Sequence, residues 1–552
     1  MPLAPALLQP VGQLSRRAEA LAFDRAAVDP RTAQARLLLE YLEASKDTEF
    51  GRLHGFGALA TPERFAARLP LMSPEDSQHW VGRLLRGERK LLTAEDPIFY
   101  GLTTGSSGHH KYLPITPGYR TAFQRTVKVA FWHLYRRFPR AFRSRLLYFV
   151  GPRRFEVAPD GLDVGSMSGY NFTEQPPLVR ALYAWPGELF AVPDLNTRSY
   201  LALLLAIRGD ISLITGVFPL PIISLLRDLE QRAEDLATDL ERGTLRGAGP
   251  LTPHQQAFFA RGPRPDLAAR LARAARAPVE EKAALAWPNL DLCYCWCTST
   301  AGSYVPELRR RLGPGVKVRD AIYAATEAWC NVPLGDEETG GPLAITSAYY
   351  EFIPEAGGDP VPLEGLRDGA RYFIVVTTAA GLYRYVIGDL VEVCGQYLAT
   401  PRIRFVRKAG ASSNLAGEQL DESHVNQAVG EALASLGGEL SWFALVGDTG
   451  GEQPGYDLLL EPAPGAALSD VALDALGAEV EARLGRIAYN YGLHRGGGRL
   501  RALRAVRVPA GSYAAWRGRK VAGGTSEAQL KSVHLYALRA EVPPEFAAIS
   551  RS

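Results

Sequence analysis

Residues 103–111 read Thr-Thr-Gly-Ser-Ser-Gly-His-His-Lys and follow directly on the apolar run 98–102. Gly105 and Gly108 let backbone N–H groups approach an anion closely. The hydroxyls of Thr103, Thr104, Ser106 and Ser107 add donors, and Lys111 supplies positive charge. That set suits a polyphosphate, although an ordinary Gly/Ser turn has the same composition. The Walker spacing Gly-x-x-x-x-Gly-Lys-Ser/Thr is absent. His109 and His110 sit in a glycine-rich turn, where adjacent histidines are solvated rather than metal-bound. A second group of reactive types is the alternating run Cys293-Tyr294-Cys295-Trp296-Cys297. Period-two spacing puts its thiols on one face of a strand, whereas zinc sites favour Cys-x-x-Cys on a turn. They read as small buried apolar residues in a reducing compartment.

The elements that must position such a loop are those of an α/β fold. Residues 14–90 alternate amphipathic stretches with polar breaks, as at 33–42 and 74–86, which predicts helices. Short runs rich in β-branched and aromatic residues follow at 146–150, 211–217, 292–297, 316–322 and 372–378. Helical stretches at 119–137, 199–208 and 265–285 separate them. Strands alternating with helices predict a largely parallel sheet. Near residue 405 the apolar strand gives way to small and charged residues. A hinge at 407–410 is expected there, dividing a large N-terminal domain, 1–406, from a small, mobile α+β C-terminal domain, 407–552. The smaller domain is predicted to hold helices at 421–436 and 471–484 and strands at 442–446, 456–460 and 503–508.

With 552 residues, 47% of them hydrophobic, the chain exceeds the size of a single core. Lys+Arg 62 against Asp+Glu 59 leaves a net charge of +3, too little for the basic field on which nucleic-acid binding relies. No segment offers the roughly 20 uninterrupted apolar residues of a membrane span. The first residues lack a charged region followed by a long apolar run, so no signal peptide is expected. A cytoplasmic, monomeric protein without nucleic-acid or membrane partners is the resulting expectation. High Ala, Arg and Gly usage suggests a bacterial-type protein.

Several segments, in order, resemble the adenylate-forming superfamily of acyl-CoA synthetases, luciferases and peptide-synthetase adenylation domains. Residues 103–111 look like its phosphate loop. Residues 321–329, Ala-Ile-Tyr-Ala-Ala-Thr-Glu-Ala-Trp, resemble its Tyr-Gly-x-Ser/Thr-Glu motif. The resemblance implies that Tyr323 lies against adenine, that Thr326 belongs to the nucleotide site and that Glu327 holds Mg²⁺. Residues 381–389, Gly-Leu-Tyr-Arg-Tyr-Val-Ile-Gly-Asp, resemble the ribose segment, with Asp389 taking the ribose hydroxyls. A carboxylate can accept two vicinal hydroxyls, and a hard dication prefers oxygen ligands. Within the superfamily, the details resemble the Gretchen Hagen auxin-responsive acyl acid amido synthetases. Residues 287–290 leading to 298–306 resemble that family's nucleotide-side strand and turn, which places Ser299 and Thr300 at the nucleotide, with Ser299 standing where glycine is usual. Residues 350–354 and 417–422 are further family-like stretches, and Arg407 falls at the hinge beside the nucleotide.

The resemblance implies an AMP-forming acid–amino acid ligase that uses ATP and Mg²⁺. A small carboxylic acid would be adenylated and its acyl group passed to an amine, of an amino acid above all. Residues 529–534, Gln-Leu-Lys-Ser-Val-His, resemble a C-terminal stretch ending Pro-Arg, and imply that Lys531 reaches the α-phosphate. Lys520 is a rival, since Val533 and His534 replace the Pro-Arg pair. A thioester ligase acting on coenzyme A or a carrier protein, and a non-catalytic nucleotide-binding relative, remain alternatives. The aromatic stripe Phe123, Phe131, Trp132 and Tyr135 could line the acid pocket or serve as core.

Overall fold

The computed structural model describes residues 5–104, 110–151, 153–192, 194–336, 339–409, 412–437, 440–463, 469–522 and 533–546. The chain divides into two compact units, one of residues 1–103 and 112–407 and one of residues 104–111 and 408–552.

In the first unit, Arg145–Phe149, Ile211–Gly216, Leu292–Cys295 and Lys317–Asp320 lie side by side in that order, all parallel. The second and third are buried at every position, as strands are when helices cover both faces of a sheet. Helices fill each crossover: Leu195–Arg208, Pro219–Arg242 and Val305–Leu312 precede the second, third and fourth strands. Pro219–Arg242 starts on prolines and stops at Gly243 in the left-handed region. Its buried Ile222, Ile223, Leu226, Leu229, Ala233, Leu236 and Leu240 recur at helical spacing.

The predicted helix 265–285 is two helices, Pro265–Arg276 and Val279–Ala286. Pro278 forces the break, because the residue before a proline is pushed out of the α region, and Ala277 is extended with ψ 159°. The predicted strand 372–378 forms as Arg371–Thr377 but does not join the parallel sheet. It belongs to a six-stranded sheet whose described pairings are antiparallel. Its neighbour Tyr385–Tyr397 follows after only a short turn, too short for the crossover that parallel pairing needs.

The N-terminal helices pack on that second sheet. Gln34, buried in the helix Pro30–Ser45, donates to Ile345 O at 2.8 Å and Ala348 O at 2.7 Å, and accepts from Tyr350 N at 2.8 Å. A third sheet holds Phe99–Thr104 between His110–Ile115 and Asp163–Gly165.

The second unit has a four-stranded sheet ordered Arg504–Arg507, Gly455–Pro462, Leu440–Asp448 and Leu535–Tyr536. The central pair is antiparallel and each outer strand joins it in parallel. Helices Glu422–Leu436 and Asp470–Ile487 belong to this unit and contact each other. Among the described residues no helix is long and apolar enough to cross a membrane.

Candidate active site

Two segments of the site leave the carboxyl ends of adjacent parallel strands, where open α/β sheets place their ligands. The turn 297–302 follows Leu292–Cys295, and the Tyr323 segment follows Lys317–Asp320. The latter is a hairpin pinned at both backbone groups of Tyr323. Tyr323 N donates to Asn331 Oδ1 at 2.7 Å, and Cys330 N donates to Tyr323 O at 2.8 Å. The bridge between Ala324 and Trp329 closes the hairpin and leaves Thr326 and Glu327 in its turn.

The hairpin is held from outside as well. The Tyr119 hydroxyl donates to Thr326 O at 2.6 Å. Gly101, on the strand Phe99–Thr104, packs closely against the hairpin. A Cβ there would stand 2.8 Å from Thr326 Cγ2.

Tyr323 is buried, and its hydroxyl donates to Asp389 Oδ2 at 2.5 Å. Burial first, and the Asp389 carboxylate second, push this phenol far above its ordinary range. Asp389 is only 5% exposed and stands on Tyr385–Tyr397, one residue after Gly388 at φ +79°. Trp296 and Phe405 flank the Tyr323 ring, with centroids 5.7 and 5.4 Å away. Half-buried Glu327 lies near enough for its charge to act on Tyr119, Tyr323, Cys330 and Tyr385, and Asp389 acts on the last three as well. Two carboxylates thus share one neighbourhood.

Thr103 and Thr104 end the strand Phe99–Thr104, but their side chains lie outside the described residues, as do residues 105–109, which include Gly105, Ser106, Ser107 and Gly108. Lys111 is half-buried on His110–Ile115. Ser299 is exposed and opens the turn Ser299–Tyr304 at φ +54°; the Thr300 side chain is not described. That φ accounts for the glycine usual there, since a Cβ crowds the backbone in the left-handed region. Ser299→Gly should therefore raise the stability of the fold by about 1 kcal/mol, measured by denaturant unfolding.

Arg407 ends the first unit and pairs with Glu355 at 3.1 Å, with its side chain half exposed. Lys531 lies outside the described residues, and Lys520 stands on the helix Ser512–Ala522 with its side chain undescribed. Past the unit boundary, Glu418 is buried and accepts from Leu415 N and Ala416 N, each at 2.5 Å, and from the Tyr456 hydroxyl. Burial raises its carboxyl against those donors.

Sequence reasoning missed the supports of the site. Arg384 and Tyr383, read with the ribose segment, are structural. Buried Arg384 grips Glu351 with two bonds of 3.0 and 2.9 Å and donates to Ala66 O and Leu69 O at 2.7 and 2.5 Å. Tyr383 stacks on Phe50 at 5.0 Å and donates to Leu92 O at 2.7 Å. The stripe on 119–137 is largely core. Phe131, Trp132 and Tyr135 pack against the main apolar cluster, and Phe123 meets Trp329 at 5.1 Å, beside the hairpin. Of the run 293–297, all three cysteines are buried, and Cys297 Sγ donates to Cys295 O at 3.2 Å.

The described residues hold no cluster of three or more His, Cys, Asp or Glu placed for a metal. Magnesium bound through phosphates needs no such cage, only one or two carboxylates. The half-buried Glu327 on its pinned turn fits that demand.

The solved structure of AtGH3.15 acyl acid amido synthetase in complex with 2,4-DB is similar at TM-score 0.65 and 20% identity, covering 96% of this chain and 95% of that one. A structure of 2-hydroxyisobutyryl-CoA ligase in complex with 2-HIB-AMP and CoA is similar at TM-score 0.50 and 13% identity, covering 90% and 94%. The fold is thus that of the adenylate-forming enzymes. Residues 20–318 match the GH3 family N-terminal domain, 341–408 the GH3 family central domain and 423–539 the GH3 family C-terminal domain. The chain belongs to the GH3 family. Among its relatives, indole-3-acetic acid-amido synthetase GH3.8 of Oryza sativa subsp. indica is 27% identical over 440 residues, 75% of this chain and 72% of the relative. Indole-3-acetic acid-amido synthetase GH3.3 of Arabidopsis thaliana is 24% identical over 428 residues, 73% and 71%. Both are plant proteins, so neither supports the bacterial reading of the composition.

Proposed function

We propose that this protein is an AMP-forming acid–amino acid ligase, which adenylates a small carboxylic acid with ATP and conjugates the acyl group to an amine. The observation that carries the reading is the run of three GH3 domain matches between residues 20 and 539, laid over a fold that brings Tyr323, Glu327 and Asp389 together. The two relatives are named indole-3-acetic acid-amido synthetases, and an acid-amido synthetase activity is carried here to this chain.

In the first step the substrate carboxylate attacks the α-phosphorus of ATP in line, and the bond to the β-phosphate breaks, releasing pyrophosphate. Thr103, Thr104, Gly105, Ser106, Ser107, Gly108 and Lys111 hold the phosphates. Ser299, Thr300 and Thr326 border the nucleotide, and Tyr323 lies against adenine. Asp389 accepts the ribose hydroxyls, and Lys531, rather than Lys520, offsets the charge that develops on the α-phosphate. Glu327 would hold Mg²⁺, which when bound neutralises phosphate charge. In the second step the amine nitrogen attacks the acyl carbon, the bond to AMP breaks and the nitrogen gives up a proton. Domain 407–552 turns about 407–410, with Arg407 at the pivot, and excludes water from the acyl-adenylate. The protein acts as a cytoplasmic monomer with neither nucleic acid nor membrane as partner.

Acid-dependent ATP–pyrophosphate exchange over aryl, indole and fatty acids tests the first step. Amino acids and coenzyme A, added separately to any acid that responds, test the second. Amide formation is the expected result, and a thioester in its place would overturn the reading. Glu327→Gln should raise the Mg²⁺ concentration needed for half-maximal exchange by about tenfold, because one charged ligand is worth roughly a charge-assisted hydrogen bond. An unchanged Mg²⁺ requirement would remove Glu327 from the metal.

A further inference from the structure

Asp320 ends the fourth parallel strand, and its buried carboxylate joins two segments that are distant in sequence. Oδ1 accepts the N–H of Cys297 at 2.8 Å, where the turn 297–302 leaves the third strand. Oδ2 accepts the N–H of Gly340 at 2.9 Å. Gly340 leads into Gly341–Pro342, which pairs with Thr400–Lys408, the strand that carries Phe405. The approach at Gly340 is close. Its φ is +77°, and a Cβ there would stand 2.9 Å from Ile403 O.

One carboxylate therefore ties together the turn 297–302, the Tyr323 segment three residues further on, and the strand that sets Phe405 beside Trp296 and Tyr323. Among the described residues no arginine or lysine pairs with it. The titratable groups that feel its charge are the Tyr294 phenol and the thiols of Cys295 and Cys297.

We propose that Asp320 is a positioning residue for nucleotide binding: ionised, it holds the turn 297–302 and the Tyr323 ring in mutual register, and neutral, it lets go of one of the two amides. This rests on the assignment of Tyr323 and Asp389 to the nucleotide. Burial pushes the Asp320 carboxyl up to about 6, against the pull of the Gly340, Cys297 and Ala321 amides. The group takes up a proton as pH falls through that value. A protonated carboxyl presents an O–H donor where it had an acceptor, so one amide loses its partner. The sign for the fold is opposite. A carboxyl raised above its unfolded value adds stability on protonation, so affinity lost in acid is not folded protein lost.

The test is adenosine binding, by calorimetry, to the full chain and to Asp320→Asn at about pH 7.5 and about pH 5. Adenosine carries no phosphate whose own titration would interfere. The wild type should lose about tenfold in affinity at the lower pH, the cost of one unsatisfied buried amide. Asp320→Asn should bind about tenfold more weakly at both, with no difference between them. In exchange assays the variant should raise KM for ATP and leave kcat and the KM of the acid within about twofold. Wild-type affinity that is indifferent to pH, or a variant that binds like the wild type, overturns the proposal. Should Asp320→Asn not fold, the wild-type comparison decides alone. A wild type that binds neither adenosine nor ATP removes the nucleotide-site assignment itself, and this proposal with it.

Discussion

Asp389→Asn should lower kcat/KM for ATP in acid-dependent pyrophosphate exchange by about 100-fold, since charge-assisted hydrogen bonds contribute roughly 1.5–3 kcal/mol each and two hydroxyls are at stake. One Asp389 oxygen already takes the Tyr323 hydroxyl at 2.5 Å, and the aspartate itself is only 5% exposed. An amide in its place offers a donor where either the phenol or a ribose hydroxyl expects an acceptor. Tyr323→Phe separates the two jobs, because the ring keeps its contacts with Trp296 and Phe405 while the carboxylate loses its phenol. Its loss should be smaller, about tenfold. Exchange by Asp389→Asn at wild-type efficiency, with an unchanged melting temperature, would take the carboxylate out of the nucleotide site.

The second large effect falls on stability. Arg384→Met should cost about 3–5 kcal/mol in denaturant unfolding, because it leaves the Glu351 carboxylate buried without its partner. It also strips the carbonyls of Ala66 and Leu69 of their donor. The double variant Arg384→Met, Glu351→Met should regain most of that loss, since well-packed apolar side chains replace a buried ion pair at little cost. A single variant within about 0.5 kcal/mol of the wild type would show that the pair does not hold the sheet to the N-terminal helices.

Much of this could be read along the chain, for physical reasons. The second and third parallel strands are largely apolar runs bounded by turn residues, and buried parallel strands leave that trace, whereas the fourth, Lys-Val-Arg-Asp, does not. The segments holding Tyr323 and Asp389 were legible because their motifs are local. What sequence did not disclose was how they are held. Asn331 and Tyr119 hold the hairpin, and Asp320 holds Cys297 and Gly340, all through backbone atoms, and backbone partners leave no pattern of side-chain types. Arg384 looked like part of the ribose segment because it lies five residues before Asp389, yet it stands in the turn ahead of the strand Tyr385–Tyr397, at φ +50°, and its partners are 33 and more than 300 residues away. The helix Pro219–Arg242 escaped notice although its caps and spacing are plain, and Pro278 was a readable stop inside 265–285 that the Ala/Arg composition obscured.

The bonds from Gln34 to residues 345–350, and from Arg384 back to Ala66 and Leu69, bear on how the chain is made. The helices Pro30–Ser45 and Pro62–Arg68 meet these partners only once a stretch made more than 300 residues later exists. At about 5–20 residues per second, roughly 15–60 s of translation pass before that stretch exists. Throughout that time the apolar faces of a nascent N-terminal segment need a chaperone or a non-native partner. For the same reason the limit of the N-terminal family match at residue 318 is no folding boundary. A chain cut there keeps all four parallel strands up to Val318 and lacks the sheet on which its first helices rest.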